Sequence, residues 1–372
     1  MRTALRARMQ GGARMASHQR CFVGALAVLG CLLLSSCSSR APMPQARQSH
    51  EASAIRFGIM TPTDGARYED IVRAWQEAEQ LGWDSAWLND HFMPVWGDTD
   101  ANQYEAWTLL AALAAQTQKM RIGVLVTGNT YRNPALLAKM AATVDELSRG
   151  RLDLGIGAGW YRKEHFAYGF HYGTARERAE RLEEALQVLR KLWGEPHPSF
   201  RGRYYSLYRA PFAPRGVQHP RVPIVVGGQG KKLIVPLVAR YADAWNAPVQ
   251  VDAKGFAERV ELIRKECVRI GRSDCPTRFS KMFALVTISD VPLVGPAIRT
   301  AASVLPGVDR GTARHLLAGS PAAIAEQIVP FIHAGCNEVI VSFLPPFDSE
   351  TIRRFTFEVI PRVRAAAQQA SS

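Results

Sequence analysis

Residues 120 to 157 read MRIGVLVTGNTYRNPALLAKMAATVDELSRGRLDLGIG. The opening MRIGVLV is apolar on both faces, as a strand must be when helices cover both sides of its sheet. NPALLAKMAATVDELSRG follows with a helical pattern, and RLDLGIG (151 to 157) reads as a second strand. Two strands joined through a helix form the repeating unit of a parallel sheet.

The same alternation continues in both directions. Upstream, IRFGIM (55 to 60) precedes the amphipathic YEDIVRAWQEAEQLGW, and DSAWL (84 to 88) precedes YEAWTLLAALAAQT. Downstream, a long helix begins near Thr174, VPIVVGG (222 to 228) leads to KKLIVPLVARYA, and ADAWNA leads to AKGFAERVELIRKECVRIG. KMFALVTIS (281 to 289) comes before PAAIAEQIVPFIHAG, and NEVIVSF (337 to 343) before ETIRRFTFEVIPRVRAA. Evenly spaced strand-then-helix units without a second composition class predict one (β/α)8 TIM barrel with loop insertions over 55–368. An open doubly wound sheet is the alternative, but its Gly-rich turn should follow the first strand, where MTPTDG stands instead.

Size and charge are consistent with this. The chain has 372 residues, 47% of them hydrophobic and 21% charged, a profile that excludes collagen-like, disordered and multi-span membrane classes. Its formal charge of +13 raises the question of nucleic acid, but Arg2, Arg6, Arg8, Arg14 and Arg20 sit together near the start. Most of the other basic residues alternate with acids on helices, as in RERAERLEEALQVLRKLW, which describes a solvated face. No basic block interleaved with aromatics suggests nucleic-acid binding.

Those arginines precede the uncharged run from Cys21 to Cys37, whose core FVGALAVLGCLLL has the length of a signal-peptide core and is short for a bilayer span. Leu34-Ser35-Ser36-Cys37 fits a lipoprotein signal, with lipid attached at Cys37. The expectation is a leader over 1–37, a disordered linker over 38–54 and a cell-envelope location. The competing readings are a buried helix and a start near Met43 that leaves the enzyme in the cytoplasm. The leader lacks a twin-arginine pair, so an exported barrel would meet its cofactor outside. Cys267, Cys275 and Cys336 in the body read as isolated thiols with no disulfide or zinc pattern.

In a (β/α)8 barrel the active site lies at the C-terminal ends of the strands. Those ends hold Asn89, Asp90 and His91, then Thr127, Gly128 and Asn129, then Gly157, Gly159 and Trp160, then Gly227 and Gly228, and Asn246. His91 is the candidate for proton transfer, because an imidazole works near neutral pH; Asp90 either holds that ring or caps a turn. GIGAGW and GGQGKK, the second containing Lys231 and Lys232, offer bare main chain to a phosphate. Tyr161, His165, Phe166, Tyr168 and Tyr172 form a lid or a packed wall. No HExxH, GxSxG or convergent carboxylate set is present, so no metal is expected. Chemistry then has to come from a bound redox cofactor, with the protein orienting its ring.

LGWDSAWLNDHF (81 to 92), residues 121 to 160, VPIVVGGQGKKLIVPLVARYADAWNA (222 to 247) and AGCNEVIVSF (334 to 343) resemble the bacterial-luciferase-like family of oxidoreductases, within it the branch that uses the deazaflavin coenzyme F-420. The resemblance implies hydride transfer between F-420 and an organic small molecule, with FMN monooxygenation as the alternative, and often a homodimer. It places His91 beside the cofactor ring with Asp90 behind it. Thr127, Asn129, Gly157, Gly159, Gly227 and Gly228 become cofactor contacts, and Trp160, Glu164 and His165 line the substrate pocket. It also implies a non-prolyl cis peptide within Val124–Val126. In the family's sugar-phosphate dehydrogenases a Glu follows the strand-four glycines as proton donor; here Trp160 stands there, which argues against that substrate. A lipid-anchored solute-binding protein with no catalysis is the reading from another class.

Overall fold

The structure, a computed structural model, describes residues 55–303, 313 and 316–369. The leader and linker expectations, Cys37 included, fall outside the described residues. Strands β1 (Arg56–Met60), β2 (Ser85–Leu88), β3 (Arg121–Gly128), β4 (Leu152–Gly157), β5 (Ile224–Gly227), β6 (Ala244–Ala247), β7 (Arg278–Phe283) and β8 (Glu338–Ser342) are all parallel to their neighbours. They close in the order β1-β8-β7-β6-β5-β4-β3-β2, so the expected barrel is borne out.

Helices α1 (Tyr68–Gln80), α2 (Ala106–Gln116), α3 (Pro134–Leu147), α4 (Arg162–Ala167), α5 (Ala175–Gly194), α6 (Val235–Tyr241) and α7 (Ala253–Arg269) follow the first six strands. Local chemistry fixes several starts: Asn133 accepts from the Ala135 N–H at 2.9 Å ahead of Pro134, and Thr174 accepts from the Glu177 N–H at 3.1 Å. Outward strand residues such as Phe57, Ile122, Leu154, Ile224, Phe279 and Val339 join the helices in the main core.

The alternate residues fill the lumen. Met60, Trp87, Leu125, Val225, Ala244 and Ile340 form a separate cluster there, with half-buried Val126 and Met282 against it. Beneath them, at the N-terminal ends of the strands, lies a charged floor. Asp153 accepts from Arg121 at 2.8 and 2.7 Å and from Arg278 at 2.9 Å, and the Arg278 Nε lies 3.5 Å from Glu338.

The structure corrects the sequence reading in two places. The seventh strand begins at Arg278, not Lys281, because its polar Arg278 and Ser280 face the lumen and hide the strand signal. After Phe283 the chain leaves the barrel, and Val286–Ile288 pairs with Leu317–Gly319 in a separate two-stranded parallel sheet. Secondly, Cys267 and Cys275 are disulfide-bonded, with Cα atoms 5.8 Å apart, while Cys336 is free and buried.

Candidate active site

His91 lies just beyond β2, at the C-terminal mouth of the barrel. The preceding Asn89 anchors this loop: its Oδ1 accepts from the Thr63 N–H at 3.0 Å and its Nδ2 donates to Asp64 at 2.7 Å. Asp90 is buried and turned away from the imidazole. Its carboxylate accepts from Arg132 at 3.1 and 2.5 Å, and its carbonyl accepts from the Tyr131 hydroxyl at 2.6 Å. Arg132 also donates to Glu105 at 2.6 Å, so its charge is consumed within the wall. Burial raises the Asp90 pKa, with Arg132 acting in the opposite sense.

The group behind the His91 ring is therefore Glu164, not Asp90 as expected. Glu164 Oε2 lies 3.2 Å from His91 Nδ1 and accepts from the Phe92 N–H at 2.7 Å. A carboxylate oxygen accepts here, which makes Nδ1 the donor and, in the neutral ring, leaves the lone pair on Nε2. Nε2 has no hydrogen-bond partner among the described residues. The ring stands edge-on to the Trp160 and Tyr161 pair, at centroid distances of 5.6 and 5.7 Å. Trp160 remains 60% exposed, which makes it a wall facing open space.

α4 explains how Glu164 arrives there. Glu164 and His165 form its buried face, whereas Arg162, Lys163 and Phe166 lie on its exposed face. Glu164 thus reaches His91 from inside the protein and does not line the pocket as expected. His165 does not line it either: its Nδ1 donates to the Tyr161 carbonyl at 2.7 Å and its Nε2 accepts from the Thr130 hydroxyl at 2.6 Å. Both ring nitrogens are thereby used for structure. Of the aromatic group, Tyr161 faces His91, while Tyr168 and Tyr172 donate to the carbonyls of Phe92 and Trp160 at 2.6 and 2.8 Å.

The cofactor-binding expectations are modified by the same kind of detail. Thr127 points out toward α2, where it accepts from the Trp107 indole at 2.8 Å, so its side chain does not reach the mouth. Asn129 is buried with Nδ2 3.4 Å from the Tyr205 hydroxyl, and its Oδ1 lacks a partner among the described residues. Gly157 and Gly227 face the lumen top, where a Cβ on either would lie 2.8 Å from a Val126 methyl. Gly159, at φ +79°, has no room for a Cβ beside the Thr130 hydroxyl. Gly228, at φ +138°, already donates its N–H to the Asn246 carbonyl at 3.2 Å. The unused main-chain N–H groups come slightly later, at Gly230 to Lys232, which have no acceptor among the described residues. Lys231 is paired with Glu258 at 2.6 Å.

A Leu125–Val126 cis peptide stands where the resemblance implied one, and the β3–β4 register shifts between Val124 and Thr127. Val126 consequently caps the lumen beside Met282. Sequence reasoning missed Arg132 and Tyr131; the only available signal was that both follow the third strand end directly. Among the described residues no group of three or more His, Cys, Asp or Glu is placed to hold a metal.

Residues 52–290 match the family model described as luciferase-like monooxygenase. The chain belongs to this family. An F420-dependent glucose-6-phosphate dehydrogenase of Nocardia farcinica is 30% identical over 348 residues, covering 85% of this chain and 98% of the relative. An F420-dependent hydroxymycolic acid dehydrogenase of Mycobacterium tuberculosis is 30% identical over 262 residues, 67% of each chain. Among solved structures, an F420-dependent secondary alcohol dehydrogenase in complex with an F420-acetone adduct superposes with a TM-score of 0.72 at 24% identity, covering 83% of this chain and 99% of that one. The EDTA monooxygenase of Chelativorans sp. BNC1 gives 0.68 at 15% identity, with coverages of 83% and 94%. At those identities the two structures speak for the fold.

Proposed function

We propose that this luciferase-like oxidoreductase moves a hydride between coenzyme F-420 and an organic small molecule, with His91 handling the accompanying proton. A single observation carries the reading: an imidazole at the barrel mouth has one nitrogen fixed by a buried carboxylate and the other open toward the site. A protein that only binds a solute has no use for a ring polarised in this way.

The mouth suits a flat ring. Its floor consists of half-buried Val126 and Met282 beside bare Gly157 and Gly227, and a β-carbon at either glycine would collide with Val126. The turn from Gly230 to Lys232 supplies N–H groups for a phosphate, joined by the exposed Lys232 side chain. A bound deazaflavin supplies the hydride acceptor or donor. The chain's own residues do the rest. Nε2 of His91 takes the hydroxyl proton from an alcohol, or returns it to a carbonyl, and Glu164 stabilises the imidazolium formed in between. Trp160 and Tyr161 hold the reacting carbon in place and exclude water.

His91→Ala is expected to lower kcat by about 10²- to 10⁴-fold while F-420 still quenches the protein's tryptophan emission. Unchanged turnover would remove His91 from the mechanism, and absence of saturable binding of either F-420 or FMN would remove the cofactor reading. The family's monooxygenase description motivates FMN as a second possibility. It is distinguished by oxygen: rapid reoxidation of the reduced, cofactor-loaded protein by air supports the flavin, and persistence of the reduced form supports F-420.

A further inference from the structure

Resting on that reading of the site, we infer that the substrate is an uncharged alcohol with an apolar body, and that phosphorylated or carboxylated molecules are excluded by the fixed charge around His91 and by Trp160.

The charge comes from carboxylates drawn in from separate elements. Glu164 touches His91 directly, and Asp64 is held close by through Asn89 and the Val95 N–H at 2.7 and 2.8 Å. Asp90 and Glu105 share Arg132 at 2.5 and 2.6 Å, and Arg132 has no further charge to offer a ligand. Burial raises the Tyr161 pKa, and the negative field of Glu164 and Asp64 raises it further, so that field is felt at the site wall.

The cations around it are committed elsewhere or turned outward. Arg178 is bound to the carbonyls of Gly159 and Gly173 at 3.1 and 3.0 Å, with its guanidinium over the Tyr172 ring. Lys281 lies outside the barrel, donating to the carbonyls of Pro248 and Val249 at 2.9 and 2.8 Å. Arg162 and Lys163 occupy the exposed face of α4, opposite the face that carries Glu164. An anionic group placed near Nε2 would meet the Glu164 carboxylate first, with Asp64 close by, and no guanidinium or ammonium directed at it.

The surface presented in place of a counter-ion is aromatic. Trp160 and Tyr161 lie 5.3 Å apart at 36°, forming a tilted pair, and Tyr161 reaches the Pro94 carbonyl at 3.4 Å. Nearby in that loop, Trp96 is 38% exposed. Trp160 and Tyr161 thus extend the site outward from His91 as an apolar shelf. In the oxidative direction the substrate's C–H bond breaks and its electron pair leaves as hydride to the deazaflavin. The O–H proton goes to His91 Nε2 and a C=O bond forms. A cation then develops on the imidazole, which the surrounding carboxylates favour.

The test uses the full chain with F-420 and the alcohols 2-propanol, 2-hexanol and 2-decanol, beside glucose 6-phosphate. The expected result is a kcat/KM that rises from 2-propanol to 2-decanol by on the order of tenfold or more as methylenes cover the shelf. Glucose 6-phosphate is expected neither to react nor to compete. Trp160→Ala should flatten the series with F-420 binding unchanged, and Arg162→Glu, on the far face of α4, should leave the series as it is. Turnover of glucose 6-phosphate, its competition with 2-decanol, or a flat series would overturn the proposal. It is equally overturned if F-420 binds while 2-decanol neither reacts nor perturbs tryptophan emission. Failure of both F-420 and FMN to bind counts instead against the parent reading of the site.

Discussion

His91 and Glu164 are separated by 73 positions, yet they meet at the barrel mouth as the proposed working pair, while Asp90, adjacent to His91 in sequence, pairs with Arg132. The reason is geometric: in an extended segment neighbouring side chains point to opposite sides, so a residue next to the histidine is badly placed to hold its ring. Sequence reading found His91 because a polar residue at a strand end stands out. It misassigned the partner because the turn that folds Glu164 inward has no local signature. Glu164→Ala should therefore reduce kcat by roughly tenfold or more with little change in KM, since the residue acts on the imidazole and not on the substrate. Glu164→Gln should restore only the part that comes from orienting the ring, because the amide oxygen can still accept from Nδ1 and the Phe92 N–H but carries no charge to stabilise the imidazolium. Steady-state kinetics of both variants with F-420 provide the check; equal losses in KM and kcat would instead place Glu164 in the substrate pocket.

At the scale of elements, helix and strand alternation was readable from apolar periodicity, and what escaped it depended on chain reversal. α7 ends at Arg269 with Ile270 as its cap, Gly271 takes φ +68°, and the Arg272 N–H returns to the Cys267 carbonyl at 2.9 Å. That reversal brings Cys275 back beside Cys267, which spacing alone could not reveal. A bridge closing so short a loop should contribute about 2.5 kcal/mol, so reductant should lower the urea midpoint of the barrel, and Cys275→Ser should remove the sensitivity. Disulfides persist where the surroundings are oxidising. Protein recovered from cells with its thiols trapped should then yield linked Cys267 and Cys275 peptides together with a lipid-modified N-terminus at Cys37. Free thiols and an unmodified start near Met43 would reverse both expectations.

For the whole molecule, eight covered strands were enough to infer closure, but the charged floor of the lumen was invisible. Arg121, Arg278 and Glu338 begin their strands and Asp153 is second in its own, so each reads in sequence as a strand-edge charge facing water. Closure is what brings them together, at the end opposite His91, where they fill lumen that apolar side chains fill higher up. Burial would raise the Asp153 pKa, but Arg278 and Arg121 outweigh it and hold the carboxyl well below the usual range. Asp153→Asn leaves the half-buried Arg121 and Arg278 guanidinium groups short of their shared carboxylate and should cost about 2–3 kcal/mol, below the roughly 3–5 kcal/mol of a fully buried pair. A carboxyl with a depressed folded-state pKa contributes its stability above its unfolded value of roughly 3.9 and loses it as the pH falls toward the folded one. The difference between wild type and Asp153→Asn should accordingly be constant near neutrality and shrink below about pH 4. Urea titrations of both proteins across that range test this, and a gap that persists unchanged into strong acid would mean that the floor is held by packing and not by charge. F-420 affinity should be the same in both proteins at pH 7, because the floor and the mouth lie at opposite ends of the strands.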